Sequence, residues 1–282
     1  MSVRSPRVAG QFYPGDVDSL RTEIESCFTH DLGPGEPPEE PGDTGEVVGI
    51  VVPHAGYAYS GPVAACSYST LYRDRAPDSF VILGPNHQGA GSGVALYPKG
   101  AWKTPLGIAQ IDEELTGAIL DATGIIDMDE RAHAYEHSIE VQLPFLQYLY
   151  GDVKIAPISM MMQDLETALE VGGDIADAVD ATGTDAAVIA STDFSHYVPA
   201  DTAKKQDRLV IDRIVDMDPE GVYRVVQENR ITMCGYGPVI AAIESSSSMG
   251  ATEGELIRYA TSGDVTPMRE VVGYGSLAFR MG

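Results

Sequence analysis

Three stretches of this chain are apolar almost without interruption: Val47–Val52 (VVGIVV), Ser79–Leu83 (SFVIL) and Ala186–Ala190 (AAVIA). A strand with one face in water alternates apolar and polar residues, whereas a continuous run needs cover on both faces. Helical periodicity supplies that cover in the intervals, over 16–29, 60–73, 112–122, 138–150, 164–180, 201–216, 219–228 and 237–247. The first of these is capped by Asp16 or Asp18 and places Leu20, Ile24, Cys27 and Phe28 on one side. Pro144 is expected to kink the fourth. Val153–Ile158 adds a strand, and 255–261 and 270–279 return to strand character. The pattern predicts an α/β fold: a central mixed, mostly parallel sheet flanked by helices, with some antiparallel edges. The segment from Asp31 to Gly45 is rich in Pro, Gly and Glu and reads as a loop inside a single domain spanning 1–282.

Charge narrows the partners. Among 282 residues there are 18 Lys and Arg against 42 Asp and Glu, a net charge of −24, with 44% hydrophobic residues. A globular core is assured, and no basic stripe exists to neutralise nucleic-acid phosphates or an anionic membrane surface. Lysine occurs only at Lys99, Lys103, Lys154, Lys204 and Lys205, while acids are dispersed throughout. Such a surface fits a halophilic protein of a salty cytoplasm, where ions screen the self-repulsion. Cys27, Cys66 and Cys234 form no CxxC pair and suggest a reducing compartment. With no signal-like N-terminus and no apolar run near about 18 residues, the expected location is cytoplasmic.

The buried runs lead into polar chemistry. GIVVP ends at His54, VILGPN at His87, and AVIAST at Asp193 with His196 three residues on. In open α/β sheets the ligand crevice lies beyond the carboxyl ends of the strands, so these loops can share one pocket. Gly56, Gly84 and Gly89 beside the histidines permit tight turns there. Cys234, in MCGYGP ahead of the apolar run Val239–Ile243, sits near a helix N-terminus, which is expected to favour ionisation and ligation or redox chemistry. His133 and His137 stand four apart with Glu136 and Glu140 nearby, but the order is EHxxE and not HExxH; Glu136, His137 and Glu140 read as supporting or helix-capping groups. Ser191 and Ser195 flank Asp193 without a GxSxG elbow, and the glycines at 89, 91 and 93 lack a phosphate-loop lysine.

RSPRVAGQFYPGD, VPHAGYAYSGPVAA, ILGPNHQGAG, EHSIEVQLPFLQ, STDFSHY and CGYGP occur in that order. Together they resemble the Memo family (mediator of ErbB2-driven cell motility), in its archaeal and bacterial branch. That family is similar in fold to class III extradiol ring-cleaving dioxygenases. The resemblance implies a metal, iron or copper with zinc as an alternative, on His54, His87 and Cys234. It places His196 at the base position, polarised by Asp193, and leaves Tyr57, Asn86, Glu136, His137, Glu140 and Tyr197 to bind substrate or support the ligands, with Tyr59 also near the pocket. Ring-cleaving relatives have a carboxylate where this chain has Cys234, and a thiolate shifts preference toward copper or zinc. The expected function is a metal-dependent oxidoreductase; the alternatives are a non-catalytic binding or adaptor module using the same pocket, or a copper-binding protein. Microbial members are encoded beside radical-SAM and AMMECR-type proteins, which the resemblance offers as partners.

Overall fold

The computed structural model describes residues 2–282. In chain order its elements are β1 (Val3–Arg4), α1 (Val17–Thr29), β2 (Val47–Val52), α2 (Tyr57–Asp74), β3 (Ser79–Pro85), β4 (Val94–Leu96), β5 (Ala101–Thr104), β6 (Gly107–Ile111), α3 (Glu113–Ala122) and β7 (Asp127–Met128). There follow α4 (Leu143–Tyr150), β8 (Lys154–Met160), α5 (Leu165–Thr182), β9 (Ala186–Ser191), β10 (His196–Val198), α6 (Ala200–Val215), α7 (Pro219–Asn229) and α8 (Tyr236–Ser248). The chain ends with β11 (Glu253–Thr261), α9 (Ser262–Val265) and β12 (Val271–Arg280).

The three apolar runs are inner strands. Parallel pairing joins β8, β3, β9 and β2 in that order, and β12 adds antiparallel to β2. Their side chains alternate between two cores. Phe80, Ile82, Ala187, Ile189, Ile50 and Val52 face Leu20, Ile24, Phe28, Leu71 and Phe145 of α1, α2 and α4. Val81, Leu83, Val188, Ala190, Val48 and Val51 face Ile119, Val171, Ile175, Ile240 and Ile243 of α3, α5 and α8. Both faces are covered, so the uninterrupted hydrophobicity is required by the architecture. The mixed, mostly parallel sheet flanked by helices agrees with the sequence expectation.

Helix starts follow local chemistry. Asp16, Asp112, Asp164 and Asp218 each accept a hydrogen bond from the backbone N–H three residues on, satisfying a donor that the helix leaves open. Asp16, not Asp18, is therefore the first cap. Pro144 does not kink a helix from 138: that region is a tight turn over Glu140–Gln142, and Pro144 lies in the first turn of α4, where its missing N–H breaks no bond. The segment 31–45 is irregular, and its end lies across α2, Gly42 N–H donating to Tyr72 O. Among the described residues no helix is long and apolar enough to cross a membrane.

Candidate metal centre

His54, His87 and the Asp193–His196 loop stand just past the ends of β2, β3 and β9, which are adjacent strands. They meet in a cavity of about 340 Å³, lined also by Phe12, Ala55, Gly56, His137, Tyr197 and Val272. One side-chain nitrogen from each of His54, His87 and His137 lies within 4.8 Å of the others. Cys234 adjoins this group through His54, its Sγ 3.3 Å from His54 Nε2.

Hydrogen bonding decides which ring nitrogens are free. Ser191 Oγ donates its one proton to Ser138 O (2.7 Å) and accepts from Gln142 Nε2 (2.9 Å). It must therefore accept from His54 Nδ1 at 2.8 Å, so His54 carries its proton there and leaves Nε2 a lone pair. The carboxylate of Glu136 accepts from His87 Nδ1 (2.9 Å) and lies 3.3 Å from His137 Nδ1. The Thr232 carbonyl accepts from His196 Nδ1 at 2.8 Å. His54, His87 and His196 are thereby held with Nδ1 protonated, and His137 has the same carboxylate at its Nδ1. Such an outer hydrogen bond orients an imidazole ligand and raises its basicity.

Electrostatics agrees with the geometry. Burial holds His54 well below the ordinary imidazole range, and the rings of His137 and His87 add to the effect. Burial lowers His137 as well, against the opposing charge of Glu136. Burial alone would raise Glu136, but the hydrogen bond and charge of His87 outweigh it, with help from His137, and hold the carboxyl at about 2. Burial that disfavours charge on His54 and His137, beside an anionic Glu136, suits a cation. Asp193 is pushed up to about 6, chiefly by burial, although the His54 backbone N–H donates to its Oδ1 at 2.8 Å.

Several sequence expectations need correction. Cys234 lies two residues before α8, yet burial and then the Asp193 carboxylate push its thiol up, against the expected easy ionisation. Desolvation exceeds the partial charge of the helix end, so the thiolate needs a compensating cation. Asp193 bonds the backbone of His54 and not the imidazole of His196, which is polarised by Thr232 instead. Tyr57 is buried in the core beside Phe145, its hydroxyl donating to Val141 O at 2.6 Å. Asn86 closes its own turn, accepting from Gln88 N and Gly89 N and donating to Ala90 O. Glu140 is fully buried against Arg4 and lies outside the cavity lining.

His133 and His137 do not share a helix face. A short turn over Glu130–His133 ends before Glu136, and His133 is buried against Tyr97 and Trp102 with Nε2 bonded to Ala95 O. His137, expected only as a supporting group, stands within the histidine cluster. Tyr197 does line the cavity, with φ 56°, a left-handed conformation that strains an aromatic residue. Tyr59 is exposed on α2 and absent from the lining.

Gln142 and Ser191 escaped the sequence reading as orienting groups. Their signal was present in EHSIEVQ and AVIAST, but only the fold shows that one serine hydroxyl joins the two segments to His54. Close approach makes this possible: a Cβ on Gly84 would stand 2.5 Å from Ser138 Oγ and 2.8 Å from Ile139 Cγ1. Glycine there lets β3 pass directly beside the segment that carries Glu136 and His137.

Residues 4–278 match the family model described as Memo-like protein. The chain belongs to the Memo family. A MEMO1 family protein of Methanothermobacter thermautotrophicus is 54% identical over 277 residues, covering 98% of this chain and 100% of the relative. Another, from Methanopyrus kandleri, is 52% identical over 281 residues and covers 99% of both chains. The solved structure of an uncharacterised protein from Escherichia coli K12 matches with a TM-score of 0.55 at 13% identity, over 83% of this chain and 99% of that one. That last likeness is one of fold. The Memo motifs quoted above therefore sit at the strand-end pocket and on the segments that brace it.

Proposed function

We propose that this Memo-family chain is a metal-dependent oxidoreductase whose centre holds iron or copper on His54, His87 and Cys234, with His137 as a further nitrogen donor. The observation that carries this reading is the hydrogen-bond wiring, which binds Nδ1 of His54 and of His87 and leaves their other ring nitrogens to face one cavity beside His137. Three nitrogens and a soft sulfur suit a first-row transition metal better than magnesium or calcium, which prefer oxygen. When bound, the metal supplies redox and Lewis-acid chemistry.

The chain's own residues supply the rest. Glu136 fixes the rings of His87 and His137; Ser191 fixes that of His54. His196 Nε2, free while Nδ1 is bonded to Thr232, accepts or returns a proton at the cavity wall. Asp193 holds the His54 backbone and accepts Cys234 backbone N–H at its carbonyl, joining the two loops. Phe12 and Val272 line the cavity with apolar surface that displaces water.

The test is oxygen uptake by anaerobically loaded iron or copper protein, screened against electron-rich small molecules. Expected is a substrate-dependent rate that disappears in His54→Asn and falls about 10²–10⁴-fold in His196→Gln. Stoichiometric metal without turnover on any substrate would overturn the catalytic reading in favour of metal binding alone.

A further inference from the structure

The N-terminal motif RSPRVAGQFYPGD reaches the cavity only through Phe12, yet it is held by a dense buried polar cluster. Arg4 and Glu140 form an ion pair at 2.7 Å, both nearly inaccessible, 136 residues apart in sequence. The guanidinium also donates from Nε to His133 O and from Nη2 to Glu136 O, each at 2.7 Å, and lies over the Trp102 ring at 4.1 Å. Glu140 further accepts from Arg7 N, Val8 N and the Tyr13 hydroxyl, all at 2.8–2.9 Å.

Stability alone is a poor reason for this arrangement, because a buried ion pair often gives no more than well-packed apolar side chains. Its geometric consequence is specific. Arg4 pins the carbonyls at both ends of the 133–136 turn, and Glu136 then directs its carboxylate to His87 N (2.6 Å), His87 Nδ1, His137 N and Ser138 N. From the other side, Glu140 anchors the 7–13 segment, which sets the Phe12 ring 4.7 Å from that of His137. A planar fork can hold two carbonyls and a carboxylate in one orientation; an ammonium cannot.

We propose that Arg4 and Glu140 are positioning residues for the histidine centre, acting through Glu136 and Phe12 to fix the rings of His87 and His137. The importance of that positioning for metal rests on the reading above; the positioning itself does not. The experiment therefore begins on metal-free protein at one fixed pH, with long-range ¹H–¹⁵N spectra of the imidazole rings in Arg4→Lys and Glu140→Gln. The double variant Arg4→Met/Glu140→Gln, which leaves no unpaired buried charge, serves if either single variant fails to fold. Asp74→Asn is the control, since Asp74 is a buried carboxylate that accepts from Val47 N and Thr44 Oγ1 at the opposite ends of β2 and β3.

Expected are shifted ring signals and a mixture of tautomers at His87 and His137, with His196 unchanged and all rings unchanged in Asp74→Asn. Rings that stay as in the wild type while the melting temperature falls would overturn the proposal and leave a purely structural anchor. Cobalt(II) titration of the same proteins adds a second reading: affinity is expected to fall about 10–100-fold in the Arg4 and Glu140 variants. Equal affinity in variants and wild type would overturn the link to metal. A wild type that binds no cobalt would overturn the metal reading while the ring spectra still decide positioning.

Discussion

At the scale of single residues, one carboxylate organises the centre. Glu136 accepts four hydrogen bonds, two from His87 and one each from the backbone of His137 and Ser138. Glu136→Gln keeps the shape but turns one acceptor into a donor facing N–H groups, and is expected to lower metal affinity about 10–100-fold by titration. Asp207 carries a separate, pH-dependent prediction. It is fully buried, accepts from Ser195 N, Ser195 Oγ and the Tyr259 hydroxyl, and burial raises its pKa above the ordinary 3.8. A group that binds its proton more tightly folded than unfolded makes stability fall as pH rises from 3.8 toward the raised value. Denaturant titrations across that window are expected to show Asp207's share as the difference between the two proteins: the stability of the wild type relative to Asp207→Asn falls as pH rises.

At the scale of elements, the strands that carry the site are anchored by bulky residues one position from the chemistry. Phe194 lies between Asp193 and Ser195 and is completely buried, its ring filling the space left by Gly275 of β12. Phe194→Ala is expected to destabilise the fold by about 3–5 kcal/mol, measured as a shift in the denaturant midpoint. A change below about 1 kcal/mol would contradict the packing account. The strands themselves were legible in the sequence because burial on both faces leaves an unbroken apolar run, as in β2, β3 and β9. The short strands β4 to β7 were not, since two to five residues carry no period, and they form through pairing with β8 and one another. His54, His87 and Asp193 were legible from their place after those runs. The role of His137 was hidden because it lies on an irregular segment, and only Glu136 and its neighbours bring it back to the pocket.

At the scale of the whole molecule, a net charge of −24 meets few compensating pairs. Arg208–Asp212, Arg213–Asp216 and Arg280–Glu255 are surface pairs, and such pairs contribute only about 0–1 kcal/mol each. Screening of the remaining repulsion should therefore matter. Lowering KCl from molar to millimolar is expected to lower the thermal midpoint; an unchanged midpoint would contradict the halophilic reading. The same charge favours cations over anions, in keeping with histidines backed by the Glu136 carboxylate.

The central claim is that this strand-end pocket is a metal centre, and metal content tests it most directly. Plasma mass spectrometry would be run on protein purified anaerobically in high salt, beside His54→Asn, Cys234→Ala and His137→Asn. The account expects near-stoichiometric iron or copper in the wild type, lost in His54→Asn and in Cys234→Ala and reduced in His137→Asn. Metal fully retained in His54→Asn, or none in the wild type after loading, would contradict it.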